Sequence, residues 1–310
     1  MGRADVYVQP QAADPVLPAG TVLGLTRRHV PGAVAVTGVD ESGGEARVYL
    51  VDDDVVVKTQ RPHRLRPRTS LAKEAYLLDT LAADLGAWIP RRFGYGVVGV
   101  AGGTVEYLCM SRMPGLPVRE VTVGGAGRRV LLVDVGRLLR RLHAAVAGGV
   151  VVPRDGGAAG LRRRLGFAFA DVGDALAGRP GAWRLPVPAG EVAARALAAL
   201  PAELTQPMVV LHSNPGPAHV FVDPGTQLLT GLIDFGDSYA GHPALDLHRW
   251  AAPADRVLLR EGYLDGGAAG AEFDRVWTVA MICADMAVIA AGSPHAEEAA
   301  ADLTGRLGDL

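Results

Sequence analysis

The stretch LHSNPGPAHVFVDPGTQLLTGLIDFGD, residues 211–237, decides how the rest of the chain is read. It opens on a polar loop broken by Pro215, Gly216 and Pro217. It then runs through the apolar segment HVFVD, turns at DPGT and returns through LTGLIDF. Two short apolar segments around such a turn read as a β-hairpin. The hairpin joins two groups of polar residues: His212, Asn214 and His219 before it, and Asp234 with Phe235 and Gly236 at its end. A carboxylate at a strand end, beside a flexible glycine, suits a hard divalent cation, which prefers oxygen ligands. Asp-Phe-Gly alone is common by chance. A His-containing loop and a hairpin ahead of it make the pattern specific.

Upstream, an apolar run (33–39), the turn cluster DESGGEA (40–46), RVYLV (47–51) and VVVKT (55–59) read as a three-strand meander. LAKEAYLLDTLAADLG (71–86) has helical apolar spacing, with Thr69 or Ser70 as cap and Gly86 as stop signal. Two more strands fall near 92–100 and 104–113, and PGLPV (114–118) breaks the pattern. Beyond it the periods become helical over 130–148 and 161–200, interrupted around 178–188, with two or three helices at the end. The expectation is an α+β, bilobal, protein-kinase-like arrangement. An irregular arm (1–25) precedes a small lobe (26–113) of five strands and one helix that binds nucleotide. A larger, mostly helical lobe (114–310) carries the catalytic loop, the metal loop and the substrate pocket.

Bulk properties narrow the function. The 310 residues suffice for one large or two modest cores. A net charge of -2 gives no electrostatic case for nucleic acid or an anionic membrane surface. Cys109 and Cys283 lie in apolar runs and read as buried thiols. The first fifteen residues lack the apolar core of a signal peptide, and the apolar run 276–291 is interrupted by Asp285. A soluble, cytoplasmic protein is expected. Lys58 and Lys73 are the only lysines in an arginine-rich chain, a bias that suits a GC-rich bacterial genome.

Lys58 ends an apolar strand and Glu74 follows on the first helix, so the lysine can reach nucleotide phosphates while the glutamate holds it. In DESGGEA, Gly43 and Gly44 allow close backbone approach to phosphate and Ser42 offers a hydroxyl, but Glu41 and Glu45 add negative charge. A plain hairpin turn is the equal alternative. RPHRLRPR (61–68) reads as a solvated basic loop, or as a contact for an anionic substrate, carrier or partner protein.

In this order the residues resemble the aminoglycoside phosphotransferase family, which shares the protein-kinase fold. The resemblance runs over roughly residues 30–250: VVVK, AKEAYLL, the hinge-like YLCMSRMPG, RLLRRLHAA, and the block from LHSN to GHPALDL. It implies ATP or GTP as donor with Mg2+, or Mn2+, and a hydroxyl on a small molecule as acceptor. It also implies that Met110, Ser111 and Arg112 line the nucleotide site and that Asp234 carries metal.

The family's catalytic loop reads H-G-D-x-x-x-x-N. Here Asn214 stands at the aspartate position and His219 at the asparagine position. Asn214 cannot take a proton but can orient a hydroxyl, and loss of a base typically costs about 10²–10⁴-fold. His219 can ligate a metal, favour Mn2+ over Mg2+, act as a base, or simply bond a backbone carbonyl. His212 is expected to order the loop, Asp246 to fix it through backbone N–H groups, His143 to pack in the core, and Asp237 to support the metal ligand or face substrate.

For a cationic acceptor the candidate acids are Glu261, Asp265, Glu272, Asp274 and Asp285; for a less polar one, Trp250, Tyr263 and Trp277. The apolar character of residues 270–292 favours a moderately polar metabolite, natural-product intermediate or peptide side chain. The leading reading is an atypical phosphotransferase acting in antibiotic resistance or natural-product biosynthesis. The alternatives are a pseudokinase-like binding protein and a kinase fold turned to non-phosphoryl biosynthetic chemistry.

Overall fold

A computed structural model describes residues 7–145, 152–178 and 185–310. Residues 146–148 of the predicted helix, and part of the break around 178–188, lie outside the described residues.

The first regular element among the described residues is a helix, α1 (Ala19–Arg27), most of it inside the stretch (1–25) expected to be irregular. Its glycines and threonines have low helix propensity, so the sequence hides it. Docking stabilises it instead: Val22 and Leu25 are buried against Tyr49, Val57 and Tyr107. The segment before α1 is tied down by Asp14, which accepts from Arg47 (3.0 Å) and Arg61 (2.6 Å).

Five strands follow: β1 (Val36–Asp40), β2 (Ala46–Val51), β3 (Val55–Gln60), β4 (Arg92–Val100) and β5 (Gly103–Ser111). They form one antiparallel sheet in the order β1-β2-β3-β5-β4. The two-residue period sorts the side chains. Val55, Val57, Tyr107 and Cys109 face α1, whereas Val56, Leu108 and Met110 join the apolar cluster of the opposite face. Lys58 follows this alternation onto the same face as Val56.

Helix α2 (Leu71–Leu85) sits between β3 and β4 in sequence. The Ser70 side chain accepts from the N–H of Lys73 (3.2 Å), and Gly86 closes the helix at φ +52°. Leu71, Leu77, Leu78, Leu81 and Leu85 are buried, at about 1.5–3 kcal/mol each. Their spacing leaves Glu74 on the buried side as well.

After β5 the chain turns at Gly115. Its φ of +87° and its closeness to the Val222 carbonyl leave no room for a Cβ. This turn lets β6 (Leu116–Pro117) pair with β8 (Val220–Val222) further on. Then come α3 (Gly125–Ala145), α4 (Gly157–Ala177), α5 (Ala189–Ala198), β7 (Val209–Leu211), β8 (Val220–Val222), β9 (Leu229–Leu232) and β10 (Tyr239–Gly241). Strands β8 and β9 form the hairpin expected from HVFVD and LTGLIDF, and β7 pairs with β10. Helices α6 (Pro253–Leu264), α7 (Ala271–Ala290) and α8 (Ala296–Gly308) close the chain. Helix α7 is buried along most of its length and holds the fully buried pair Asp285–Arg256 (2.5 Å). No helix among the described residues is long and apolar enough to cross a membrane.

Candidate active site

Three elements bring their charges to one point. Lys58 Nζ on β3 donates to both oxygens of Glu74 on α2 (2.8 and 3.0 Å) and to Asp234 Oδ1 beyond β9 (2.7 Å). The Lys58 and Glu74 side chains are 7 % and 1 % exposed, whereas that of Asp234 is 43 % exposed. The carboxylate is thus the member of the trio offered to the cleft. Burial alone would lower the Lys58 pKa; Asp234 and Glu74 outweigh it and hold the ammonium charged, well above its ordinary value. Burial pushes the Glu74 carboxyl up against the pull of Lys58. Burial would also raise Asp234, but Lys58 and then His219 prevail and hold it well below the ordinary carboxylate range. Asp234 adopts φ 75°, ψ 65°, left-handed backbone that is rare outside glycine. Such strain, about 1–3 kcal/mol, persists where the surroundings over-determine it and is concentrated at functional sites.

The loop before β8 is fixed from beneath. Buried Asp246 accepts from the N–H groups of His212 (2.7 Å) and Ser213 (2.8 Å), and from His143 Nε2 (3.0 Å). Burial would raise its pKa; these bonds and the nearby histidines bring it below the ordinary value. His212 Nε2 donates to the Ile233 carbonyl (2.8 Å), so its Nδ1 accepts from the Asn214 N–H (3.3 Å). Burial, then His219, push the His212 pKa down to about 4, which keeps the ring neutral and suited to this split role. Ser213 is the second left-handed residue of the site, at φ 76°. Asn214 stands exposed at the tip of the loop. His219 bonds the Asn214 carbonyl through Nδ1 (2.8 Å), and its Nε2 lies 3.4 Å from Asp234 Oδ2. The bland and the functional expectations for this histidine therefore fall on different ring nitrogens.

A profile of the phosphotransferase enzyme family matches residues 38–278. The chain belongs to that family. Solved phosphotransferases share its fold. The macrolide 2'-phosphotransferase MphH from Brachybacterium faecium is 24% identical with a TM-score of 0.57, over 91% of this chain and 97% of that one. The GDP complex of wild-type aminoglycoside 2'-phosphotransferase-IIIa is 15% identical with a TM-score of 0.60, over 94% and 99%. A putative aminoglycoside phosphotransferase from Ralstonia eutropha is 13% identical with a TM-score of 0.57, over 93% and 95%. The fold is thus the α+β, kinase-like one.

Within that family frame several expected residues have other employment. Met110 and Ser111 lie in β5, and the N–H groups of Ser111 and Arg112 are committed to the carbonyls of Arg91 (2.8 Å) and Asp54 (2.7 Å). They do not offer those donors to a base. Ser42, Gly43 and Gly44 form the exposed β1–β2 turn, where the Ser42 N–H is held by Asp40 (2.8 Å). The acids that argued against a phosphate loop are paired, Glu41 with Arg47 and Glu45 with Arg66. The basic loop is not merely solvated. Arg61 is buried against Asp14, Arg66 spans Glu45 and Asp237, and the Arg68 guanidinium lies 5.5 Å from the centre of the Tyr239 ring.

The C-terminal acids are also taken. Glu261 pairs with Arg129 (2.5 Å), Asp265 with Arg137 (3.3 Å) and Asp274 with Arg260; Asp285 is in the buried pair with Arg256. Glu272 accepts from Thr205 and Gln206 N–H groups (2.7 and 3.0 Å). The expected aromatic lining is structural too. Trp250 donates to the Pro215 carbonyl (3.0 Å), Trp277 is buried under Arg260 and Arg306, and Tyr263 stacks on Phe273.

Sequence reading missed Lys73. It donates to the carbonyls of Arg68 (2.5 Å) and Ser238 (2.8 Å), while Thr69 donates to Asp237 (2.6 Å). These contacts clamp the start of α2 to the segment after Asp234. The scarcity of lysine was the available signal.

Proposed function

We propose that this protein transfers the γ-phosphoryl group of ATP or GTP to a hydroxyl of a small molecule bearing little positive charge. The observation that carries the reading is Lys58 held between buried Glu74 and cleft-facing Asp234. Buried ions are expensive to keep, and this arrangement is the one a phosphate-binding lysine and a metal-binding carboxylate require. Solved relatives hold GDP, ATP or ADP, which supports a nucleotide donor.

Lys58 would neutralise the donor phosphates. A divalent ion held at Asp234 would neutralise the charge that develops on the β- and γ-oxygens. The donor set fits such an ion. No three His, Cys, Asp or Glu side chains converge among the described residues, and ions of this kind take most of their ligands from phosphate and water. The Asn214 side chain would hydrogen-bond the acceptor hydroxyl and aim it at phosphorus. The new O–P bond forms as the γ-phosphoryl leaves the β-phosphate oxygen, and the hydroxyl proton passes to solvent or to a phosphoryl oxygen. A loose transition state asks little of a base, so an amide can serve at reduced rate. The pairing of the C-terminal acids supports an acceptor other than a polycationic one. Buried Cys109 and Cys283, both free thiols, suit the reducing cytoplasm where the donor is abundant.

Asn214 also favours a second reading, a binding protein that retains nucleotide without turnover. Nucleotide binding and turnover, measured on the wild type, Asp234→Ala and Asn214→Asp, separate the two. Metal-dependent binding that Asp234→Ala abolishes is expected, with turnover raised about 10²–10⁴-fold in Asn214→Asp. Binding with no turnover in any form would leave the second reading, and no binding at all would remove both.

A further inference from the structure

On the flank of the loop that carries Asn214, arginines outnumber the carboxylates that could neutralise them. Tyr239 pairs in register with Leu211, the residue before His212, so its ring marks that flank. The Arg164 guanidinium lies 3.6 Å from the centre of the Tyr239 ring, and the Arg68 guanidinium lies 5.5 Å from it. Asp155 is set beside them by backbone bonds: the Ala240 N–H donates to the Pro153 carbonyl (2.8 Å) and the Asp155 N–H to the Ala240 carbonyl (2.9 Å). Both Asp155 oxygens are taken by Arg164 (2.7 Å each).

That leaves Arg68, Arg163 and Arg249, all exposed, without a carboxylate of their own among the described residues. All three belong to this neighbourhood: Arg68 and Arg163 act electrostatically on Asp155, and Arg249 and Arg68 on the Tyr239 hydroxyl. Exposed like charges ordinarily turn away from one another into water. Here two of them are held, Arg68 by the Tyr239 ring and Arg249 by the loop itself. Arg249 Nε donates to the Ser213 carbonyl (3.0 Å), and the adjacent Trp250 Nε1 donates to the Pro215 carbonyl (3.0 Å). These bonds fall on the two residues that flank Asn214. With Nε committed, the Nη groups of Arg249 have no partner among the described residues. They form a planar fork of donors that matches an oxyanion. In a chain of net charge -2, this flank is a local positive field beside the residue that would orient the acceptor.

We propose that the acceptor is anionic: its carboxylate or phosphate group is gripped by the Nη fork of Arg249, within the positive field of Arg68 and Arg163, while its hydroxyl meets Asn214. A guanidinium fork bonded to an oxyanion gives two parallel charge-assisted hydrogen bonds, which orient the acceptor as well as hold it. Orientation matters here because an amide at position 214 can aim a hydroxyl but cannot take its proton. The same field repels a cationic acceptor, in keeping with the C-terminal acids being engaged by arginines and backbone N–H groups. The proposal rests on the phosphotransferase reading, since it takes Asn214 as the residue that meets the acceptor.

The test is calorimetric titration of the full chain saturated with ADP and Mg2+, so that the nucleotide's own phosphates fill the donor site. The probes are three pairs, each an anion and its neutral partner: glucuronate and glucuronamide, 4-hydroxybenzoate and 4-hydroxybenzamide, glucose 6-phosphate and glucose. In at least one pair the anion is expected to bind about tenfold tighter or more, and the pair that shows it distinguishes a carboxylate from a phosphate. The preference should vanish in Arg249→Gln and fall about two- to threefold in Arg163→Gln, an exposed helix position. The wild-type comparison stands even where the Arg249 variant fails to fold. Equal or absent binding of anion and neutral partner in every pair would overturn the proposal and, with ADP still bound, leave the phosphotransferase reading intact. So would a preference that survives Arg249→Gln, or loss of ADP affinity in that variant, which would assign the arginine to the donor. A wild type that binds no ADP would remove both.

Discussion

The proposed phosphate side and the proposed acceptor side of the cleft are built by opposite means. On the phosphate side, Lys58 and Glu74 are buried charges that neutralise one another and converge from separate elements. On the acceptor side, Asn214 is an exposed amide at the tip of a loop, and what is buried there is the apparatus beneath it: His212, Asp246 and His143. On the proposed reading, one side would perform its chemistry with the groups that stabilise it. The other separates the two tasks. A change at position 214 therefore leaves the fold alone, whereas a change at 58 or 74 does not. This asymmetry explains how the acceptor side can carry a substituted residue while the phosphate side stays intact.

Lys58→Met is the strongest way to break the comparison. It strands Glu74 in the interior and should cost about 3–5 kcal/mol of stability, read by urea unfolding. Nucleotide-dependent turnover in the Asn214→Asp background should fall by about 10²–10³-fold. A stable, active Lys58→Met protein would show that the buried trio is not the phosphate site.

A smaller effect tests the apparatus beneath the loop. Burial lowers the His212 pKa from 6.5 to about 4, so the unfolded chain binds the extra proton first as pH falls. The stability this provides is complete above pH 6.5 and is lost as pH drops toward 4. Relative to His212→Gln, the wild type should lose about 1.4 kcal/mol per pH unit in that window. Parallel pH curves for the two proteins would mean that His212 is not held neutral by the fold.

The smallest effect concerns charge in the C-terminal helices. Glu261→Gln and Asp274→Asn should change the KM for a cationic acceptor by less than about twofold, because each carboxylate already serves an arginine, Glu261 in an exposed pair and Asp274 in a part-buried one. A tenfold rise in KM would restore an acidic pocket.

The sequence made legible whatever depends on local pattern. The apolar run VVV set Lys58 at a strand end, Thr69 or Ser70 and Gly86 bounded α2, and the run from His212 to Asp234 gave the loop and hairpin. Asp246, read as a clasp for backbone N–H groups, has that geometry. Features decided by partners far along the chain stayed hidden. Glu261 looked available because Arg129 lies 132 positions away. The hinge N–H groups looked free because only the strand register shows that Arg91 and Asp54 claim them. Helix α1 was unreadable because its stability comes from Tyr49 and Tyr107, not from its own residues.

The apolar interior is partitioned by the sheet and not by the linker. Val56, Leu108 and Met110 belong to the cluster that continues through α2 into α3 and α7, while their strand neighbours belong to the layer under α1. This decides how the molecule comes apart. The shared packing predicts that the cleft wall and the helical body unfold as one cooperative block and that the α1 layer opens separately. Opening confined to that outer face would leave Lys58, Glu74 and Asp234 assembled.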